Sequence, residues 1–157
     1  MEWVKPFFQW AADSRLGTAI AAGTYPFAVI EVIHLFGLTL VLGGVTFMSM
    51  RLFGLIMRDQ PLSQFSRGVS RWTFVGMLIS ATTGAGLYAS EAMKLYASPS
   101  FWVKMGLFFP AVLFHFTLYR KVTHSDRSGP LARGLTAIAA LFLWFGVGWA
   151  GRAIGFL

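Results

Sequence analysis

The chain of 157 residues contains no cysteine. That excludes disulfides, thiolate metal sites, cysteine-held iron–sulfur clusters and the CxxCH attachment of a covalent haem. Any haem would be held non-covalently, and any metal would rest on His, Met, Glu or Lys. Charge is scarce as well. Only 12% of residues are charged, with 13 Lys and Arg against 6 Asp and Glu. No phosphate loop, no HExxH zinc spacing and no catalytic-triad signature is present. Residues 1–24 do not read as a signal peptide, because Lys5, Pro6, Gln9 and Asp13 interrupt any apolar core.

What is abundant is apolar surface. Hydrophobic residues make up 56% of the chain and mean hydropathy is +0.64, a composition of the membrane class. The expected fold is all-α: a transmembrane four-helix bundle with a short N-terminal interfacial helix. Residues 1–24 form the interfacial segment. Trp3, Phe7 and Trp10 recur there at i, i+4, i+7 between polar residues, as in a helix lying at a membrane surface. Residues 25–157 form the bundle. Its spans are expected at about Tyr25–Met50, Trp72–Ser90, Ser100–Tyr119 and Gly134–Gly151, each near the ~20 residues that cross a bilayer.

The net charge of +7 does not read as nucleic-acid binding, because the basic residues sit between spans. Arg51, Arg58, Arg67 and Arg71 follow the first span, and Arg120, Lys121, Arg127 and Arg133 follow the third. The second is followed by Lys94 alone. The positive-inside rule then places loops one and three in the cytoplasm and both termini outside.

The first span carries Glu31 and His34 one helical turn apart, and ionisable groups inside a span are functional-site hypotheses by default. On the face of His34 lie Gly37, Val41, Gly44 and Met48. Two glycines there leave room for a flat group or for another backbone. The plainer alternative is that His34 bonds a neighbouring helix and the glycines serve packing. Taking each span's cytoplasmic Arg as a common floor, with ~1.5 Å of rise per residue, His34, Lys104, Arg152, Glu91 and Glu31 converge on the outer third. Snorkelling charges and an aromatic belt are the plain alternative. His115 shares a stripe with Lys104, Phe108 and Ala111, so Lys104 and His115 should both face inward. It nevertheless lies ~18 Å below His34. One haem iron ligated by both histidines is therefore not expected. His124 reads as a loop residue.

The stretches EVIHLFGLTLVLGGVTFMSMRLFGL, FWVKMGLFFPAVLFH and WAGRAIGF resemble the first, third and fourth spans of an uncharacterised family of four-span bacterial inner-membrane proteins. More distantly they resemble the copper-resistance D-type membrane domain and the HemJ-type protoporphyrinogen oxidase. The resemblance implies a bundle in the bacterial inner membrane that binds haem b or handles copper. It carries His34, Arg51, Lys104, His115 and Arg152 over as site positions.

Three function classes stay open beside a purely structural four-helix subunit. The first is a b-type haem protein passing electrons, as a subunit of a respiratory or dehydrogenase complex or with a quinone. In it His34 ligates iron, Lys104 and Arg152 pair with propionates, and Glu31 accepts the free ring N–H of His34. The sixth position would be open, or filled by Met105, Lys104 or a second copy of the chain in a homo-oligomer. His115 would hold a separate haem or bond across helices. The second class is a porphyrinogen or quinol oxidoreductase with Glu31 taking protons. The third is a copper-handling protein using His34 with methionines.

Overall fold

The computed structural model describes residues 2–156, apart from the side chain of Thr24. A 3-10 turn at Glu2–Val4 leads into two short helices, α1 (Lys5–Ala12) and α2 (Arg15–Ala21). Then come α3 (Thr24–Leu52), α4 (Leu62–Ser90), α5 (Ala92–Ala97) and α6 (Pro99–Phe114). A π-helical turn, His115–Tyr119, continues α6 into α7 (Arg120–Thr123), and α8 (Pro130–Ile154) closes the chain. The fold is all-α. Three continuous helices, Tyr25–Leu52, Pro99–Thr123 and Pro130–Ile154, are long and apolar enough to cross a membrane.

The second expected span differs from that reading. Its helix begins at Leu62, ten residues before Trp72, so Arg67 and Arg71 are helical rather than loop residues. Pro61 precedes the first turn, and Leu62, Ser66, Thr73 and Gly76 make a buried stripe from there onward. The apolar pattern thus runs straight through the arginines. At 29 residues α4 is as long as α3, about 44 Å each. Its apolar part is diluted by Ser80, Thr82, Thr83 and three glycines.

α3 and α4 run antiparallel in unusually close contact. A Cβ on Gly76 would lie 2.7 Å from the Gly37 carbonyl oxygen, and one on Gly37 would lie 2.7 Å from Ser80 Oγ. A Cβ on Gly44 would collide with the Thr73 hydroxyl. Small residues of this kind let helix backbones approach where lipid supplies no hydrophobic drive between helices. α8 joins the pair, with Leu42 and Leu38 of α3 set over Gly148, and α6 packs on α8 with Leu107 over Gly146. Val41, Val45, Met48, Ala111, Ala137, Ala140, Trp144 and Val147 form the buried centre. α4 and α6, the two ends of this arc, are not among the packed pairs. Exposed Phe, Leu, Ile and Val cover the outer faces.

The N-terminal segment is not one amphipathic helix. Asp13 and Ser14 break it, and Ser14 Oγ caps α2 by accepting from the Gly17 amide. Phe8 and Ala11 are buried with Ala92, Leu95 and Phe101, so α1 closes one end of the bundle. Trp3, Phe7 and Trp10 point outward, the placement the periodicity implies for a membrane interface.

At the opposite end the two arginine-bearing connections are tied together. Asp126 accepts from the Ser63 amide at 2.9 Å and the Ser63 hydroxyl at 2.8 Å. His124 Nδ1 lies 3.1 Å from Ser66 Oγ.

Two outcomes follow. Gly76→Leu should destabilise the protein by about 1–3 kcal/mol through overpacking. Gly43→Ala, where nothing lies within 4 Å, should be neutral or stabilising. Thermal unfolding in detergent separates the two, and equal losses would contradict the close contact. The Ser63 amide, then the Ser63 hydroxyl, hold the Asp126 carboxyl below its ordinary value of 3.8. A depressed carboxylate stabilises above its unfolded value, and that contribution is lost as pH falls through the folded one. Asp126→Asn should therefore remove part of the acid sensitivity of unfolding, read as a smaller drop in Tm on acidification below pH 4 than in the parent.

Candidate functional site

Two histidines lie in the bundle, at different depths. His34 is half-buried on α3 and points at α4. Its Nδ1 lies 3.2 Å from Thr83 Oγ1, and its ring edge packs on Gly84, where a Cβ would sit 3.1 Å from His34 Cε1. Ser80 Oγ donates to the His34 carbonyl at 3.4 Å. The Thr83 hydroxyl already donates its one proton to the Ile79 carbonyl at 2.5 Å. Toward His34 it can only accept, so Nδ1 carries the imidazole hydrogen and Nε2 keeps its lone pair. The sequence pattern treats Thr83 only as a small packing residue. The signal for more is its position, seven residues after Gly76, which puts it on the face that meets α3.

Lys104 is half-buried on α6 and acts electrostatically on His34. A Cβ on Gly151 of α8 would lie 3.4 Å from its Nζ, so the small residue makes room for the amine. These are the two expected site residues that the fold brings together. Glu31 is exposed rather than inward. It lies seven residues, about 10 Å, into α3, and its carboxylate reaches the helix end more readily than the core. It leaves the free ring N–H of His34 to Thr83. Arg152 is exposed also and sits 4.7 Å over the Phe156 ring, while Glu91 pairs locally with Lys94 at 3.2 Å. These charges point in different directions rather than into one site. The face beside Gly37 and Gly44 is likewise filled by Ser80 and Thr73 of α4 rather than open to a planar ring.

Arg51 closes the far end of α3. It is buried, and its Nη2 donates to the Gln60 carbonyl at 2.6 Å, which makes it an anchor for the loop that leaves α3.

His115 is buried at the π-helical turn and faces inward with Lys104, as their shared stripe implies. Its ring stacks on Tyr119 at 4.6 Å and meets the edge of Trp144 at 5.9 Å. Its Nδ1 is buried with no hydrogen-bond partner. It lines a cleft of about 380 Å³ between α4 and the π turn, with Arg67, Ser70, Arg71, Phe74, Phe116, Tyr119, Arg120, Thr123 and His124. Thr83, the partner of His34, is nine residues or about 14 Å beyond Phe74 along α4. The two histidines thus stand apart in depth, as the rise per residue implies. Among the described residues no three His, Asp or Glu come together in a way that could hold a metal ion. His124, expected in a loop, does lie at the chain's exit from α7, but Ser66 and Thr123 at 3.1 and 3.2 Å orient its ring.

A family model described as a family of unknown function, DUF6644, matches residues 7–157. No curated protein and no solved structure matches the chain.

Proposed function

The chain belongs to the DUF6644 family, a family of unknown function; from the site geometry we propose that it is a four-span membrane protein of the bacterial inner membrane that binds a b-type haem through His34 and passes electrons. α4 supports the fourth span. It lies antiparallel along α3 from Gly86 to Thr73, so a bilayer that encloses α3 encloses α4 too. The clasp between Ser63 and Asp126 gathers the arginine-bearing connections at one end, which the positive-inside rule assigns to the cytoplasm.

The observation that carries the haem reading is the hydrogen-bonding state of His34. A histidine that ligates a metal presents one nitrogen lone pair while its other ring N–H is held by an acceptor. Thr83 supplies that acceptor and leaves Nε2 available. Lys104, which acts electrostatically on His34, suits a propionate carboxylate. When bound, haem would supply one-electron redox chemistry, which the ligating nitrogen of His34 and the burial around it would tune. The chain's own part is to fix the imidazole, keep the site dry and balance the carboxylate charge. With Arg152 turned outward, Lys104 acts without it. Copper handling receives no comparable support, since no methionine sulfur is placed beside His34 by any of its contacts.

The visible spectrum of protein from a haem-replete membrane, oxidised and then reduced, tests this. The parent should show a reduced α-band, His34→Ala should lose it, and His115→Ala should keep it. Thr83→Val should weaken haem retention by about tenfold or more, as loss of an orienting partner does. A parent without haem, or a His34→Ala variant with full haem, ends the reading. Topology is read separately with single cysteines, which the cysteine-free parent makes clean. Gln60→Cys should label from the cytoplasm and Lys94→Cys from outside, and labelling of both from one side contradicts four spans.

A further inference from the structure

We propose that the cleft between α4 and the π turn is a headgroup site for an anionic phospholipid, reached sideways from the arginine-bearing leaflet. The proposal rests on the four-span reading and is independent of haem. Its ground is the way charge is distributed around this cleft. Arg67, Arg71 and Arg120 line it, and no acidic residue does.

Three other arginines at this end are committed to backbone carbonyls, whereas Arg127, like the cleft arginines, is not, but lies outside the cleft. Arg51 donates to the Gln60 carbonyl, Arg58 to the Gly54 carbonyl and Arg133 to the Asp126 carbonyl. Asp126 is itself committed to Ser63. Among the described residues the three cleft arginines donate to no protein acceptor. Snorkelling alone would give solvated arginines scattered round the bundle rim. Here α4 and the π turn with its continuation α7, which meet at Ser66 and His124, present their exposed cations to one volume.

The shape suits an amphiphile. On α4, Arg67, Ser70, Arg71 and Phe74 fall at i, i+3, i+4, i+7, a single face that is cationic toward the helix start and aromatic deeper in. The π turn repeats that order from the other side, with Arg120 and Thr123 at the end and Phe116 and His115 deeper. A phosphate at the mouth would meet guanidinium groups, hydroxyls of Ser70 and Thr123, and the histidines. Its acyl chains would run along Phe74 and Phe116 into the gap between α4 and α6. Arginine–phosphate pairs are strong and often bidentate, and basic pockets between membrane helices at the cytoplasmic side are known to take phospholipid headgroups. The π turn is part of the device, since it interrupts the regular ladder where the cleft begins, and such turns recur at binding sites. Buried Nδ1 of His115, without a protein partner, lies beside this volume.

The test is native mass spectrometry of the full chain released from bilayers of phosphatidylcholine and phosphatidylglycerol. The parent should retain one phosphatidylglycerol in preference to phosphatidylcholine. Arg67→Gln/Arg71→Gln should lower that retention by about tenfold, the equivalent of about 1.4 kcal/mol. Lys121→Gln/Arg127→Gln removes the same charge from the same end outside the cleft and should leave retention unchanged. Should the cleft double variant fail to fold, Arg120→Gln on the exposed rim gives the second reading, with the same direction of effect. Equal retention in cleft and control variants, or no headgroup preference in the parent, overturns the site. Displacement of the lipid by excess inorganic phosphate assigns the cleft to the free anion and overturns the lipid reading. Extraction of the protein by carbonate would remove the four-span reading and the lipid site with it. A membrane-resident protein without lipid preference removes the site alone.

Discussion

Everything on the His34 side of the bundle depends on how closely α3 and α4 approach. Gly76 allows the Gly37 carbonyl to lie where a methyl group would otherwise be, and Gly37 returns the same room to Ser80. Such contact gains dispersion energy over many atoms at once, which is the main attraction available between helices in lipid. It also sets register. With Gly37 against Ser80, His34 falls opposite Thr83 and Gly84 and nowhere else. The threonine then completes the hydrogen bond that fixes the ring. The glycines thus face α4 rather than a flat ligand, and they set the register in which Thr83 orients the histidine.

The small residues of α4 are used on α3, and the outcome on its other side is a gap. α6 finds its own partner in α8, where Gly146 and Gly151 receive Leu107 and Lys104. The bundle is therefore two close pairs joined through α3 and α8, with α4 and α6 as edges that meet at the Tyr88–Phe101 ring contact rather than along their length. The N-terminal helices close one end of that gap with an aromatic cluster around Phe8, Tyr88, Phe101 and Trp102. At the other end Ser63 and Ser66 hold the connection after α7, and the cleft framed by the arginines of α4 and of the α6 continuation opens beside that clasp. An open edge facing water would expose apolar side chains at a cost of about 25 cal/mol per Å². Facing lipid it costs little, and so the arrangement makes physical sense only in a bilayer.

Much of this was legible from residue pattern. The all-α class and the positions of α3, α6 and α8 follow from hydrophobic runs, and the inward stripe from Lys104 to His115 follows from helical spacing. Depth was legible too, because rise per residue is constant: His34 and His115 stand apart as the ruler says. Direction was less so. Glu31 and His34 differ by three residues, and nothing in the sequence says which of them faces a neighbour until α4 is in place. Arg152 has the right depth for a site on its inner side, yet Phe156 gives its guanidinium a resting place outside. The start of α4 was obscured for a different reason. Arginines at Arg67 and Arg71 look like loop residues to a hydropathy window, whereas the buried stripe from Leu62 to Gly76 carries the helix through them. The residues His115–Tyr119 taken alone carry no signal of the π turn; Pro110, inside α6 five residues before it, is the irregularity the sequence offers.

The two histidines show how one bundle can give the same side chain two characters. At His34 every neighbouring contact reduces freedom: an acceptor on one nitrogen, a glycine under the ring, a lysine in electrostatic reach. An imidazole held so has one chemically open atom in one direction, which is what ligation requires. At His115 the ring is fixed by stacking on Tyr119 rather than by hydrogen bonding, and Nδ1 has no partner. A buried polar atom left unsatisfied costs about 1–3 kcal/mol, and native structures keep such a cost where a ligand or water meets it. The arginines nearby favour an anion there. His34 thus suits a partner that takes its lone pair, and His115 a partner that brings negative charge and oxygen atoms. About 14 Å of helix between their levels on α4 keeps the two environments separate, so a substitution at one end should leave the chemistry of the other in place.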